Sequence, residues 1–160
     1  MTKILVAYFS ASGVTARAAK AVADVTGGNL FEIKPAISYT KEDLDWMDKN
    51  SRSSVEMKDK SSRPEIAEMC ENMTEYNTVF LGFPIWWYVA PTIINTFLES
   101  YDFSGKTIIL FATSGGSGFG KTADNLKDSV SKDTVIKEGK LLNGYIDKAI
   151  LSAWADKFIE

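Results

Sequence analysis

Ser10, Ser12 and Thr15 stand with a glycine in the stretch Ser10-Ala11-Ser12-Gly13-Val14-Thr15. An apolar run, residues 4–9, leads into it, and an Ala-rich segment, residues 16–25, follows. Strand, hydroxyl-rich loop and helix in that order put three hydroxyls and the free N–H groups of a helix N-terminus where a phosphate can sit. The loop has no Lys or Arg, and the chain has no His. A phosphate held there meets neutral donors and a helix dipole without a counter-charge. Such a site suits a stably bound phosphate ester, because phosphoryl transfer needs cations on the developing charge.

Two further segments follow apolar runs. Gly82-Phe83-Pro84-Ile85-Trp86-Trp87-Tyr88 sets a proline before three aromatics, and Thr113-Ser114-Gly115-Gly116-Ser117-Gly118-Phe119-Gly120 is glycine-rich. If the runs are strands of one parallel sheet, their C-termini share an edge and the three loops converge on it. They then offer a phosphate nest, an aromatic wall and a strip whose backbone can approach a ligand closely. A flat heterocycle bearing a phosphate is the simplest ligand that uses all three. Taken singly, each loop has a plainer explanation: a helix cap at Ser12, core or interface tryptophans, an ordinary glycine-rich turn. Their convergence carries the inference.

The elements that must position these loops are read from periodicity. Apolar, β-rich runs fall at residues 3–9, 29–33, 78–83, 107–112 and 134–137, and amphipathic helical patterns at 13–26, 64–73, 91–100, 122–131 and 145–159. The first, third and fourth runs are apolar on both alternations, as in strands covered on both faces. This pattern predicts an α/β fold, an open, doubly wound, five-stranded parallel sheet with helices on both faces, in a single domain over residues 1–160. Ser62-Arg63-Pro64-Glu65 reads as a capping box for the helix at 64–73, and Pro91 as a first-turn proline of the next. In the last helix, Tyr145, Ile146, Ala149, Ile150, Ala153, Trp154 and Phe158 form the predicted apolar face. Residues 35–64 are an irregular, polar excursion. Within it Thr40-Lys41-Glu42-Asp43 could cap a short helix bearing Leu44, Trp46 and Met47, and residues 51–62 read as a surface loop. Trp46 either pins this excursion to the body or belongs to a lid over a ligand.

Composition removes several classes of chemistry. The lone Cys70 excludes an internal disulfide and a CxxC pair, and its neighbours at helical spacing suggest a buried structural thiol. Without histidine there is no Ser-His or Cys-His catalysis. A net charge of −3 argues against nucleic acid as a partner. The apolar runs are too short for a bilayer, and Met1-Thr2-Lys3 leads straight into a strand, so the expectation is a cytoplasmic protein with no membrane partner and no leader. Any redox chemistry then belongs to an organic cofactor. One motif points elsewhere. Residues 115–122 match G-x-x-x-x-G-K-[ST], the phosphate loop of nucleotide hydrolases, between a strand and a helix. No strand ends in the Asp such an enzyme needs, and a P-loop reading leaves Ser10 to Thr15 and the tryptophans unexplained.

Over essentially its full length the chain resembles the flavodoxins. Ser10, Ser12, Gly13 and Thr15 match the family's Ser/Thr-x-Ser/Thr-Gly-x-Thr phosphate loop, Trp86 after Pro84 matches its flavin-flanking tryptophan, and residues 113–120 correspond to the loop at the flavin's pyrimidine edge. The resemblance, closest to the short-chain branch with an extended loop after the second strand, implies strand order 2-1-3-4-5 with FMN at the switch point, an order the flavodoxins exemplify. It implies a cofactor site formed by Ser10, Ala11, Ser12, Gly13, Val14, Thr15, Pro84, Ile85, Trp86, Trp87, Tyr88, Thr113, Ser114, Gly115, Gly116 and Phe119, with no catalytic side chain and no metal. It also implies a low-potential electron carrier whose partners are a reductase and an acceptor protein. The alternative is an FMN-containing quinone or flavin oxidoreductase using NAD(P)H. The family often turns a peptide after the tryptophan towards reduced N5, helped by a small residue; here Trp87, Tyr88 and Val89 occupy that stretch, where positive φ is costly.

Overall fold

Leu5, Ala7 and Phe9 lie in one buried cluster, and Val6 and Tyr8 in another, so the first strand has no solvent face. The same parity holds for Val79, Leu81 and Phe83 against Phe80, and for Ile108, Leu110 and Ala112 against Ile109 and Phe111. A strand apolar on both alternations must be covered twice, which dictates helices on each side. A computed structural model describes residues 3–114 and 118–159 and has this arrangement. The strands are β1 (Lys3–Tyr8), β2 (Asn29–Glu32), β3 (Tyr76–Pro84), β4 (Thr107–Thr113) and β5 (Val135–Leu141). They pair in parallel in the order β2-β1-β3-β4-β5. The helices are α1 (Val14–Thr26), α2 (Arg52–Lys58), α3 (Thr92–Glu99), α4 (Thr122–Lys127) and α5 (Lys148–Asp156). Apolar residues of α1 and α5 pack on one face, those of α3 and α4 on the other.

The last helix faces the sheet through a stripe different from the predicted one. Leu151 and Ala155 are its buried positions, joined by half-buried Trp154 and Phe158, whereas Tyr145 is 91 % exposed and Ile150 58 % exposed. Asp147 starts the helix after Tyr145 and Ile146, its carboxylate accepting the N–H groups of Ala149 and Ile150, while Ala149, Ile150 and Ala153 lie within the helix on its exposed side.

The excursion between β2 and β3 departs most from expectation. Residues 64–72 form no helix, and only a short 3-10 turn, Met73–Glu75, follows them. Ala36 N–H donates to Glu65 O at 2.8 Å and Ala67 N–H to Lys34 O at 2.7 Å, an antiparallel bridge around Pro35 and Ile66. Burial alternates accordingly, with Ser62, Pro64 and Ile66 inward and Arg63, Glu65 and Ala67 outward. Cross-chain pairing thus replaces the capping box, and Cys70 is a half-buried loop thiol whose N–H donates to Tyr101 Oη, with its pKa raised by burial. At residues 40–43 the expected cap forms, Thr40 and Asp43 exchanging backbone-to-side-chain bonds, but only turns follow it. The excursion's helix is instead α2, inside the stretch read as a surface loop. Ser51 caps it, accepting the Ser54 N–H, and it buries Ser51, Ser53 and Ser54 while Val55 stays exposed.

A cluster of three side chains holds α2. Arg52 Nε donates to Glu56 Oε2 at 2.9 Å, Arg52 Nη1 to Ile37 O at 2.6 Å, and the guanidinium lies 3.8 Å over the Tyr39 ring. Tyr39 Oη donates to Glu56, and burial first, then that carboxylate, pushes the phenol far above its ordinary range. Tyr39→Phe should therefore lower stability by about 1.5–3 kcal/mol, the worth of one hydrogen bond to a charged group. Urea unfolding measures this, and limited proteolysis should cut faster within residues 40–60. An unchanged midpoint and cleavage rate would show that the tyrosine hydroxyl does not hold the excursion.

Candidate functional site

The loop after β1 is shaped by Gly13, which takes φ 92° as the N-cap of α1. Its N–H donates to Ser10 Oγ at 3.0 Å, folding Ser10 to Gly13 into a tight arch. No side chain caps the helix, so the first-turn N–H groups of α1 are left for a ligand at a helix of 13 residues. Ser12 is exposed and its hydroxyl has no partner within the described residues. Thr15 is placed differently from Ser10 and Ser12: it is buried, with Oγ1 2.8 Å from Thr113 Oγ1. That bond ties the first loop to the end of β4.

After β3 the backbone closes on itself. Trp86 N–H donates to Val89 O at 2.9 Å, Val89 N–H donates back to Trp86 O at 3.1 Å, and Trp87 and Tyr88 between them have φ 49° and 69°. This is a two-residue type I′ turn, a place normally taken by Asn-Gly. Bulky residues were expected to resist positive φ, yet two in succession adopt it. Each carries a strain of order 1–3 kcal/mol, a kind that concentrates at functional sites. Gly120 supplies the seat for the turn: a Cβ there would stand 2.5 Å from Tyr88 O. Trp86 is half-buried, edge-on to Phe9 at 5.7 Å and to Tyr39 at 5.5 Å. Its ring is fixed, while Trp87 and Tyr88 are 44 % and 68 % exposed. Pro84 and Ile85 are half-buried at the base, where Ile85 N–H donates to Thr113 O.

In the third loop Thr113 is buried, and Ser114 N–H donates to Asn143 Oδ1 at 2.8 Å. Gly115 and Gly116 lie outside the described residues. Phe119 is in the hydrophobic core rather than at the loop surface. In the described part of the nucleotide-hydrolase pattern, residues 118–122, Gly120 and Thr122 have packing roles. Thr122 is fully buried with its hydroxyl donating to Phe119 O, Gly120 receives the Tyr88 carbonyl, and α4 has only six residues.

Two cavities flank these loops. One of about 380 Å³ runs beside Ser10 and Ala11, bounded by Glu32, Lys34 and Tyr39. Another, of about 360 Å³, is walled by Trp46, Trp86, Trp87 and Tyr88, with Leu44 and Ser53 completing it. Ser53 Oγ is buried there without a partner. Trp46 is 69 % exposed and so lines the cavity mouth instead of pinning the excursion. Tyr39 and Ser53 were not anticipated. Nothing in their local sequence marks them, because the long-range fold of the excursion brings them here.

A family model described as flavodoxin matches residues 3–158. Two solved structures classed as flavoproteins are close in sequence and shape. The one from Bacteroides eggerthii is 52 % identical, with a TM-score of 0.91 and 98 % of each chain covered. The one from Bacteroides uniformis is 50 % identical, with a TM-score of 0.90 over 97 % of this chain and 98 % of that one. A flavoprotein from Lactobacillus acidophilus, solved in complex with FMN, shares the fold at 20 % identity and a TM-score of 0.69, covering 97 % of this chain and 99 % of its own. No curated protein sequence matches the chain.

Strain in the turn is directly measurable. Tyr88→Gly removes a left-handed bulky residue whose side chain is mostly exposed. It should raise stability by about 1 kcal/mol, or a melting temperature higher by about 2–4 °C. A lower melting temperature would mean that the tyrosine ring contributes more in packing than its backbone costs.

Proposed function

The chain belongs to the flavodoxin family, and from that premise we propose that it binds FMN and works as a low-potential electron carrier. The observation that carries this is the uncapped N-terminus of α1 behind the Ser10–Gly13 arch. Its donor set fits a phosphate monoester: backbone N–H groups, the Ser10 and Ser12 hydroxyls and a helix dipole. The FMN complex of the flavoprotein from Lactobacillus acidophilus supports the choice of ligand. Bound FMN supplies the electron-accepting chemistry, and the chain's part is to bind and orient it. Backbone groups around Thr113, Ser114, Gly115 and Gly116 would read the pyrimidine edge. Trp86, held by Phe9 and Tyr39, and Trp87 with Tyr88 would border the ring system.

The phosphate loop contains no cation to offset a further negative charge on the ring, which favours a low potential. The net charge of −3 suits docking on basic faces of a reductase and an acceptor protein. A cytoplasmic setting suits those partners. The aromatic cavity of about 360 Å³ beside the turn favours a second reading, an oxidoreductase passing electrons from NAD(P)H to a quinone or a free flavin.

Titration of the purified protein with FMN, followed by visible absorption and flavin fluorescence and with ATP as control, tests the proposal. Stoichiometric quenching by FMN and none of consequence with ATP is expected; saturable ATP binding without flavin binding would sink it. Ser12→Ala should weaken FMN about tenfold, one charge-assisted hydrogen bond, at an unchanged melting temperature. Trp86→Ala should also weaken FMN, but with a loss of stability, because that ring packs in the chain itself. Rapid NADPH oxidation with a quinone by the pure protein would select the enzyme over the carrier.

A further inference from the structure

On the sheet face covered by α3 and α4, a cavity of about 740 Å³ lies between those helices, the excursion and the turn at Trp87 and Tyr88. Small-molecule sites occupy roughly 300–1,000 Å³. The cavity contains no residue of the Ser10–Thr15 loop and shares Trp87, Tyr88 and Gly120 with the site above. Three elements are tied together along its lining. Arg63 Nε donates to Glu99 Oε1 at 3.0 Å, Ser129 Oγ to Glu99 Oε2 at 2.7 Å, and Asn95 Nδ2 to Ser129 Oγ at 3.0 Å. Arg63 and Ser129 hold the Glu99 carboxyl below its ordinary range, so these links persist throughout the neutral range.

Within that network Arg63 and Glu99 satisfy each other. Lys60 and Lys121 line the same cavity from opposite sides, one from the excursion and one from the residue before α4, and neither ammonium has a carboxylate partner among the described residues. Asp128 is the lining carboxylate with no ion pair. The lining as a whole carries three cations and two carboxylates, a surplus of one positive charge in a chain of net charge −3. Thr92, only 6 % exposed, also lines the cavity and its Oγ1 is buried without a hydrogen-bond partner. An orphaned hydroxyl is costly unless something completes it.

We propose that this cavity is a second ligand site, built for a planar aromatic monoanion, in chemical class an aromatic carboxylate. Lys60 and Lys121 attract the carboxylate, Trp87 and Tyr88 flank the ring, and the Thr92 hydroxyl donates to a ligand oxygen. A dianion such as a phosphate ester is matched less well, because only one positive charge is in surplus and Asp128 repels the second negative one. The site does not depend on flavin binding.

Titration with 2-naphthoate, followed by tryptophan emission with and without FMN, reads the proposal directly. Saturable binding is expected in both cases. Neutral 2-naphthamide should bind about fivefold more weakly, and so should 2-naphthoate to the Lys60→Ala/Lys121→Ala variant, the scale of an exposed charge contact. Both lysines are unpaired, so this variant should melt like the parent and bind FMN equally well. Thr92→Val, which keeps the side-chain shape, should lower naphthoate affinity without lowering the melting temperature. The proposal is overturned by an absence of saturation, by equal affinity for acid and amide, by indifference to the lysines, or by displacement of naphthoate by FMN.

Discussion

The closed turn from Trp86 to Val89 is the constraint on which the ligand-facing edge depends. Its two reciprocal backbone bonds force Trp87 and Tyr88 into left-handed conformations, and the Tyr88 carbonyl is thereby directed onto Gly120. One turn thus fixes the ring of Trp86, the exposure of the next two aromatics and the spacing between the second and third loops. Two of the three cavities named above use its residues as walls. A turn with Asn-Gly at its centre would be easier to form, but it would offer no aromatic surface to either cavity.

The layered α/β architecture was legible because β1, β3 and β4 are apolar on both alternations and so must be covered twice, whereas the strand order came from the resemblance to the flavodoxins. The strand, loop and helix start around Ser10 to Thr15 were legible for a related reason: hydroxyls, glycine and helix start are adjacent in sequence. What escaped reading was non-local. Residues 64–73 carry a helix-like spacing but find better partners in the backbone of residues 34–36, and pairing across the chain outweighs local propensity. The helix α2 was hidden because it buries serines, whose small size rather than apolar character lets them pack. Its signals were Ser51 as cap and Arg52 four residues before Glu56. The face of α5 was misjudged at Tyr145, which precedes the Asp147 cap, and at Ala149, Ile150 and Ala153, which lie in the helix on its exposed side.

The excursion is more than a solvated loop. It is fastened near its start by the bridge to Ile66, in its middle by the Arg52, Glu56 and Tyr39 cluster, and towards its end by Arg63 on Glu99. Those fastenings let it contribute Tyr39 to the support of Trp86 and Lys60 to the large cavity. A long polar insertion thereby becomes structural wall for all three cavities, including the one that runs beside Ser10 and Ala11.

The hydroxyl pair of Thr15 and Thr113 has a consequence of its own. Two hydroxyls hold two protons, and the bond between them uses one. The direction of that bond is therefore a binary variable, with the same heavy atoms in either state. An anion in the first loop would favour the state in which Thr15 turns its proton outward and Thr113 donates inward. The third loop would then meet a reoriented dipole at the end of β4. Were the first loop to hold an anion, its occupancy would reach the third loop as bond polarity, with the same heavy-atom positions in either state.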